Sequence, residues 1–555
     1  MASPELDAAL GEEWDAIVIG TGVGGSTLGY RLAQAGWRVL FCERGRSHLN
    51  GAVAESGAYP EEQLGGSGNP TTPRATGLFR AAGRSIDRIA DTAANGRTTT
   101  FVPFVGSGTG GSSALYGMAM ERFFPSDFAP RAAHPQAHDA ALDDAWPLGY
   151  DELAPYYGMA EALFRVRGSA DPLRADPPGS LRLLEPQALT PGGAELFDFL
   201  SGRGLHPYRL PMACEFVPGC RGCQGYLCPS ACKNDAARIC LAPALREHGA
   251  RLLDDCRVVR LEADRQRVTG VVCVREGRRF TLRARHVVLA AGALQTPRLL
   301  LTSTSPDWPD GLANRSGLVG RHLMRHYVDL YSIEPARSVD GDPENRFKEL
   351  AFNDFYAADG MKLGSVQSFG RLPPAEMLYA SLRQDLRDGG LPWLAPLLGV
   401  ARPVLMALLG RMVARSFVLA TTLEDLPYAD NRVVPAAGAP DASGDAADLR
   451  LEYRIRRYDV QRIASLRDAM RRVLAGRRWR LIKQAENNQR IAHVCGTCRF
   501  GSDPRTSVLD RDNRAHGIEN LHIVDSSFFP TSGGTNPSLT IAANALRVAD
   551  RLAIR

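Results

Sequence analysis

The sequence lacks the features that mark several classes of protein. It contains no uninterrupted run of about twenty apolar residues, which a transmembrane helix needs. The N-terminal segment MASPELDAALGEEWD is acidic and has neither the basic part nor the apolar part of a secretory signal peptide. The net charge is only +5, from 66 Lys and Arg against 61 Asp and Glu, which argues against a general nucleic-acid-binding protein. We therefore expect a cytoplasmic protein with no transmembrane segment and no nucleic-acid partner.

The most apolar stretch of the chain, residues 391–414, is interrupted by Arg402, Arg411, Pro396 and Pro403. Two interpretations of this stretch are open. It forms a pair of buried helices, or it forms an apolar substrate entrance or a patch that makes peripheral contact with a membrane surface.

The composition is that of a globular protein with two or more domains. The chain has 555 residues, of which 44% are hydrophobic and 23% are charged. It contains no internal repeat or low-complexity tract. Its eleven cysteines, in a cytoplasmic protein, are more typical of thiols or metal ligands than of disulfides.

A glycine-rich turn near the N-terminus predicts a dinucleotide site. Gly20, Gly22 and Gly25 match the pattern G-x-G-x-x-G between the apolar strand DAIVIG and a helix. Gly20 permits the tight turn, Gly22 lets a pyrophosphate approach the backbone, and Gly25 lets the helix pack on the strand. Glu43 ends the next strand, where a carboxylate accepts a hydrogen bond from a ribose hydroxyl. The motif does not distinguish NAD from FAD.

Five other segments resemble the glucose–methanol–choline (GMC) oxidoreductase family. They are FVGSGTGGSSALYGMAM (104–120), WPLGYDELAPYY (146–157), AAGALQTPRLLL (290–301), SGLVGRHLMRH (316–326) and the C-terminal block 493–552. The resemblance implies an α/β fold, with a doubly wound, Rossmann-like FAD-binding domain and a substrate domain of β-sheet and helices. Residues 12–140, 235–329 and 488–555 would form the FAD-binding domain. Residues 141–234 and 330–487 would form the substrate domain and a cysteine-rich segment.

The same resemblance implies FAD as the cofactor and assigns residues to it. Beside the glycine turn and Glu43, these are Gly110, Gly111, Ser112, Ser113, Val258, Asp525, Asn536 and Thr540. Residues 110–113 would line the flavin and the pyrophosphate, Val258 would contact the adenine through its backbone, and Asp525 would bind near the pyrophosphate and the ribityl chain. Tyr116 is a departure, because the family commonly has Asn at this position beside the flavin.

His493 and Asn536 stand where the family has its catalytic pair, so the chain resembles the His/Asn subgroup. The resemblance implies oxidation of an alcohol to a carbonyl with hydride transfer to flavin N5. A neutral imidazole can accept the hydroxyl proton as the hydride leaves, and the Asn amide can donate a hydrogen bond to the alcohol oxygen. Alternatives on the same fold are a non-redox or light-driven FAD-binding lyase and an inactive flavin-binding subunit. The substrate is open between a sterol-like or long-chain alcohol and a sugar.

Four cysteines are crowded into the segment CRGCQGYLCPSACKND, namely Cys220, Cys223, Cys228 and Cys232. Disulfides, a zinc site, an iron–sulfur cluster and ordinary thiols are all open, although the central spacing is short for a zinc site. Some FAD-dependent sugar dehydrogenases of the family carry a similar segment that holds a three-iron cluster, which implies a 3Fe–4S or 4Fe–4S cluster here. Such a cluster would relay electrons to an external acceptor, including an acceptor protein, and the enzyme would be a dehydrogenase. Without a cluster, an oxygen-using alcohol oxidase is the better interpretation.

Overall fold

The structure is a computed structural model that describes residues 4–49, 57–64, 70, 72–92, 98–335, 347–358, 360–370, 372–388, 393, 395–436, 449–483, 485 and 493–554. The strands are β1 (Trp14–Ile19), β2 (Val39–Cys42), β3 (Ile89–Thr92), β4 (Thr98–Phe101), β5 (Tyr208–Arg209), β6 (Arg251–Leu253), β7 (Arg257–Ala263), β8 (Val268–Arg275), β9 (Arg278–Leu282), β10 (Ala284–Leu289), β11 (Tyr327–Ile333), β12 (Leu350–Phe352), β13 (Ala357–Ala358), β14 (Met361–Lys362), β15 (Gly364–Ser368), β16 (Phe417–Leu423), β17 (Arg432–Pro435), β18 (Leu449–Glu452), β19 (Trp479–Lys483) and β20 (Leu521–Ile523).

The helices are α1 (Pro4–Gly11), α2 (Val23–Gln34), α3 (Pro60–Gln63), α4 (Pro73–Ala81), α5 (Pro130–Ala133), α6 (Tyr150–Leu163), α7 (Pro191–Ser201), α8 (Ala242–Glu247), α9 (Gly292–Thr302), α10 (Ala375–Asp388), α11 (Ala395–Val400), α12 (Arg402–Arg415), α13 (Arg457–Val473) and α14 (Ser538–Ala553). A π-helical turn, Ala237–Leu241, leads into α8.

Among the described residues, a five-stranded parallel sheet has the order β20–β10–β1–β2–β6. Its central strands are short and almost fully buried, as expected for a parallel sheet that is covered on both faces. Side chains of α2 and α14 cover one face, and the antiparallel strands β7–β9 cover the other. The predicted α/β fold class with a Rossmann-like domain is confirmed.

The carboxyl ends of four of these strands place the residues that matter for a ligand. β1, β2, β10 and β20 run parallel, so their carboxyl ends meet at one edge of the sheet. The residues that follow these ends are Gly20, Glu43, Ala290 and, two positions after β20, Asp525. Ligands of open α/β sheets bind at this edge, because loops and helix N-termini converge there.

A second sheet forms the wall opposite this edge. It is six-stranded in the described residues and has the order β19–β11–β16–β15–β12–β5. α7 and α13 pack on one face of it, where Leu200, Met470 and Leu474 are fully buried. Its other face contributes Leu330, Gln367 and further side chains to the large cavity described below.

The strands are drawn from separated parts of the chain. The five-stranded sheet takes its strands from residues 14–42, 251–289 and 521–523, which lie in the three segments predicted for the FAD-binding domain. The six-stranded sheet takes strands from 208–209, 327–333, 350–368, 417–423 and 479–483, so β11 begins just before the predicted boundary at 329/330. The domain limits themselves stay a prediction.

The apolar stretch 391–414 is not a pair of buried helices, so that interpretation was wrong. Where the stretch is described (393 and 395–414), Leu397, Val400, Val404 and Leu408 are exposed on α11 and α12. Residues 391, 392 and 394 lie outside the described part. No helix in the described ranges has the length and the hydropathy needed to cross a bilayer.

Candidate active site

The glycine turn is shaped by close backbone contacts that exclude larger residues. Gly20 has a φ of +96°, and a Cβ there would lie 2.5 Å from Ala290 O. A Cβ on Gly25 would lie 2.2 Å from Gly20 O, so only glycine lets α2 pack this closely on β1. A Cβ on Gly22 would meet no atom within 4 Å, because Gly22 faces the cavity. The three glycines therefore have the structural features that the motif predicts.

The N-terminus of α2 opens into the same space. The helix begins at Val23, its N-cap Gly22 makes no side-chain cap, and its first turn carries no acidic residue. The first backbone N–H groups of a helix have no partner within the helix, and the helix dipole favours an anion at this end. The turn therefore offers the backbone donors that a pyrophosphate needs.

Glu43 ties three segments together at the edge of the sheet. Its Oε2 accepts hydrogen bonds from Thr21 N (3.1 Å) and Thr21 Oγ1 (2.8 Å). Its Oε1 accepts from Gly45 N (3.0 Å) and Gly108 N (3.1 Å). Glu43 is buried but lines the cavity. Its predicted contact with the ribose stays a prediction.

The loop 110–113 lies directly against the glycine turn. Gly110 and Gly111 have φ values of +85° and +52°, and a Cβ on Gly111 would lie 3.0 Å from Gly22 Cα. Ser113 Oγ donates to Gly110 O (2.6 Å) and accepts from Ala236 N (3.0 Å), which fixes the loop. The two glycine-rich segments, separated by some ninety residues in sequence, thus form one cradle.

Asp525 closes the cradle from the C-terminal block. Its carboxylate accepts hydrogen bonds from Gly292 N (2.9 Å), Thr296 Oγ1 (2.5 Å) and Ser527 N (2.9 Å). Burial raises the pKa of this carboxyl above its ordinary value, and these hydrogen bonds act in the opposite direction. Asp525 thereby joins the start of α9 to the segment that leads to α14.

The structure brings most of the predicted site residues to one cavity of about 1480 Å³. This volume exceeds the roughly 300–1,000 Å³ of ordinary small-molecule sites, as a dinucleotide together with a substrate requires. The predicted residues that line it are Gly20, Gly22, Glu43, Gly111, Ser112, Ser113, Val258, His493, Asp525 and Asn536. Gly25, Gly110 and Thr540 do not line it; the Thr540 hydroxyl instead bonds to the Tyr157 hydroxyl at 2.8 Å.

His493 forms a hydrogen bond with a second histidine, and this bond decides which of its ring nitrogens carries a proton. His326 Nε2 lies 2.9 Å from Gly533 O and 3.1 Å from Ser532 O, and since both are acceptors, Nε2 carries the proton and donates. Neutral His326 is then an acceptor at Nδ1, which lies 2.9 Å from His493 Nδ1. His493 must therefore donate from Nδ1, which leaves its Nε2 with a free lone pair.

Both imidazoles are held neutral by their surroundings. Burial lowers the pKa of His493 well below its ordinary value, and the charge of Lys348 lowers it further. Burial likewise lowers the pKa of His326. His493 has a φ of +62°, a left-handed conformation that costs roughly 1–3 kcal/mol in a non-glycine residue and is often found at functional sites. His493 is thus a neutral base on the wall of the cavity.

Asn536 is the other predicted catalytic residue, and its side chain has an unused acceptor. Asn536 is 6% exposed and lines the cavity, and its Oδ1 has no hydrogen-bond partner among the described residues. A buried amide oxygen without a partner costs about 1–3 kcal/mol, so a ligand group that donates to it is favoured. This orphaned atom, together with the open space at Gly22, fits the predicted cofactor and substrate.

Two residues near His493 were not assigned a role from the sequence. His326 ends the segment SGLVGRHLMRH, so the resemblance contained it, although no role was attached to it. Lys348 also lines the cavity, and burial lowers its pKa to about 8. No motif surrounds Lys348 in the sequence, so only the fold could reveal it.

The cysteine-rich segment packs against the loop that holds the cradle. Lys233 Nζ donates to Ala114 O (2.8 Å), and the Tyr116 hydroxyl donates to Asn234 O (2.6 Å). Gly225 N donates to Leu115 O (2.7 Å). Tyr116, the departure from the family pattern, therefore fastens the cysteine-rich segment to the cavity wall.

The four predicted metal ligands lie next to one another, and Cys214 joins them. The sulfur atoms of Cys214, Cys220 and Cys232 lie within 4.8 Å of one another, and Cys228 Sγ lies 3.4 Å from Cys232 Sγ. Cys223 is outside this trio but interacts with Cys228, so the role of the four cysteines as metal ligands stays a prediction. All eleven cysteines of the chain are free thiols, so the structure forms none of the disulfides left open above.

The separations of these sulfur atoms do not fit a multi-iron core. Cys214, Cys220 and Cys232 have neighbouring sulfurs 3.8 and 3.2 Å apart. Thiolates at about 2.3 Å from one tetrahedral ion are roughly 3.8 Å apart, whereas a core of several irons and sulfides holds its thiolates farther apart. We therefore assign no step to an iron–sulfur cluster.

Comparison with known proteins gives the family. Residues 213–328 and 427–545 match the two family models described as GMC oxidoreductase. The chain is 32% identical to paromamine 6'-oxidase of Streptomyces fradiae, over 97% of this chain and 91% of that protein. It is 28% identical to 2-methyl-1,2-propanediol dehydrogenase of Mycolicibacterium austroafricanum, over 98% and 96% of the two chains. It is also 25% identical to the fructose dehydrogenase large subunit of Gluconobacter japonicus, over 97% of each chain.

Solved structures agree on the fold. Pyridoxine 4-oxidase from Mesorbium loti superposes with a TM-score of 0.62 at 21% identity, over 98% of this chain and all of the other. An FAD-dependent oxidoreductase from Chaetomium thermophilum superposes with a TM-score of 0.61 at 15% identity, over 97% and 99% of the two chains. With a full-length relative above 30% identity and the motifs gathered at one cavity, the chain belongs to the GMC oxidoreductase family.

Proposed function

We propose that the protein oxidises an alcohol to a carbonyl compound with FAD bound in the large cavity. Bound FAD supplies the acceptor for the hydride. The observation that carries the proposal is that His493, with a free Nε2, and Asn536 line the same cavity as the glycine turn. The names of relatives, which include both oxidases and dehydrogenases of alcohols, support the same class of reaction.

His493 would take the hydroxyl proton of the substrate at Nε2 while the hydride leaves the carbon. Its Nδ1–H continues to donate to His326, so the ring keeps its orientation as the proton arrives. The Asn536 amide would donate to the alcohol oxygen and use its unpartnered Oδ1 for a second hydroxyl or a cofactor group. Positioned acid–base groups of this kind contribute about 10²–10⁴-fold to a rate.

The electron acceptor separates an oxidase from a dehydrogenase. The sequence predicts a dehydrogenase with an iron–sulfur relay. Contact of the cysteine-rich segment with residues 114–116 places it beside the cavity, which supports the relay, whereas the short sulfur–sulfur distances do not. An oxidase remains the alternative, and two of the relatives bear that name.

A non-redox lyase on this fold is the other alternative. It would leave the flavin oxidised when substrate is added without oxygen, whereas an alcohol oxidoreductase bleaches the flavin absorbance. The neutral His493 and the unpartnered amide oxygen of Asn536, both on the wall of one cavity, favour removal of a proton and a hydride from a carbinol.

The first prediction concerns FAD binding. Gly22→Val should still fold, because the new Cβ meets no protein atom within 4 Å. It should bind about tenfold less FAD or lower still, because the valine side chain fills the space for the pyrophosphate. The flavin-to-protein absorbance ratio of purified protein measures this. Gly77→Val is the matched control, since Gly77 is exposed on α4 and its Cβ also has open space. Normal flavin content in Gly22→Val would place the pyrophosphate elsewhere.

The second prediction concerns the base. His493→Ala should slow flavin reduction by an alcohol roughly 100-fold or more in anaerobic stopped-flow measurements, with unchanged FAD content. His206→Ala is the control, because His206 is an exposed histidine that pairs with Asp354 and does not line the cavity. A rate close to that of the unaltered protein would remove His493 from this role.

The third prediction concerns pH and His326. Because the base must be unprotonated and burial lowers the pKa of His493, flavin reduction should stay constant as pH falls through 6.5 and decline only at more acid pH. In His326→Leu, the rate should fall about tenfold, because the acceptor for Nδ1–H is lost, and the acid limb should move to lower pH, because a neutral His326 that accepts from Nδ1–H stabilises the protonated ring of His493 more than the neutral one. His326→Gln, which keeps an acceptor, should recover part of the rate. An unshifted acid limb in His326→Leu would mean that His326 acts only through packing.

The fourth prediction tests the cysteine-rich segment. The iron–sulfur relay requires stoichiometric iron and acid-labile sulfide in anaerobically purified protein, together with little hydrogen peroxide formed per alcohol oxidised. Flavin absorbance bands alone, without iron and with peroxide formed in step with the product, would contradict the relay and identify oxygen as the acceptor.

A further inference from the structure

An exposed apolar surface lies on the helices next to the cavity. It consists of Trp393, Leu397, Val400, Val404 and Leu408, and we call it the α11–α12 surface. Val400 is 84% exposed and Trp393 is 66% exposed. Apart from Ile554 at the chain end, these five are the most exposed large hydrophobic residues in the described ranges. Clustered exposure of this kind marks an interaction site in a folded protein.

The stretch of sequence that contains the α11–α12 surface carries charges of one sign. Between Asp388 and Glu424 the sequence contains Arg402, Arg411 and Arg415, and no Asp or Glu. Arg402 and Arg411 are exposed on α12. Apolar residues with basic neighbours and a tryptophan are the composition of helices that lie in the interface of an anionic bilayer.

An adjoining side of α12 faces the cavity. Leu409 and Met412 line the cavity, together with Leu378 and Leu382 of α10. With 3.6 residues per turn, Leu409 lies about 100° around the helix from the exposed Leu408, so the two side chains are on neighbouring sides of α12. One helix therefore separates the surface of the protein from the cavity.

The helices are tied to the body of the protein. The Tyr379 hydroxyl of α10 donates to Leu398 O of α11 at 2.9 Å. The Arg402 guanidinium lies 5.7 Å from the centre of the Tyr379 ring. α10 thus anchors the α11–α12 surface at a defined place beside the cavity.

We propose that the α11–α12 surface docks on an anionic phospholipid bilayer and that a lipophilic alcohol passes from the bilayer to the cavity along α12. The inference rests on the proposed alcohol oxidation and names its substrate class. α11 and α12 have 6 and 14 residues, so they lie in the interface and do not span the bilayer. A symmetric contact with a second copy would set Arg402 and Arg411 of each chain against those of the other, which is unfavourable.

The binding experiment uses flotation of the FAD-loaded protein with vesicles of phosphatidylcholine, with or without phosphatidylglycerol. The unaltered protein should float with vesicles that contain phosphatidylglycerol. The double variant Val400→Asp/Leu408→Asp should bind these vesicles about tenfold more weakly. Val460→Asp, which alters an exposed valine on α13, is the matched control and should float normally. Arg402→Gln/Arg411→Gln should weaken binding only to the anionic vesicles.

The activity experiment compares a water-soluble alcohol with a long-chain alcohol dissolved in the vesicles. The double variant should oxidise the soluble alcohol normally and the vesicle-borne alcohol about tenfold more slowly. Absence of flotation by the unaltered protein would overturn the proposal, and so would equal flotation of the double variant. Concentration-dependent dimerisation abolished by the double variant would assign the surface to a second copy. Normal flotation without flavin reduction by any alcohol would refute the proposed function and leave the docking surface standing.

Discussion

The carboxylate of Glu43 is the constraint on which the cavity depends. Its two oxygens hold the glycine turn through Thr21, the end of its own strand through Gly45, and the cradle loop through Gly108. A buried carboxylate is expensive unless its acceptor positions are filled, so these four hydrogen bonds make the three segments interdependent. Gly20 and Gly25 then bring the backbone close enough for α2 to point its N-terminus into the space that Glu43 frames.

The residues proposed to act on the substrate lie on segments other than those that Glu43 holds together. His493 belongs to the C-terminal block, whereas His326 precedes β11 of the six-stranded sheet. The carbonyls of Ser532 and Gly533 orient His326, His326 orients His493, and Asn536 follows three residues after Gly533. Hydrogen bonds through His326 thus tie His493 to the segment 532–533, which lies three residues before Asn536 in the chain. Burial keeps both imidazoles neutral, which a base needs.

The α11–α12 surface lies on the same helix that bounds one side of the cavity. The cofactor half of the cavity is built from loops of the parallel sheet, and the other half is bounded by the antiparallel sheet and by α10 and α12. α12 presents apolar residues to solvent, at Val404 and Leu408, and to the cavity, at Leu409 and Met412. A cavity of this construction suits a substrate with an apolar body and one reacting hydroxyl group.

The glycine turn and Glu43 could be predicted from residue types at short, regular spacings, and the loop 110–113 and the pair His493/Asn536 were implied by the resemblance to the family. The tautomer of His493 and the place of Lys348 could not, since each depends on segments far apart in sequence. The stretch 391–414 shows the same division. Its apolar composition was plain, but whether an apolar helix is buried is decided by what packs against it, and that is a property of the fold.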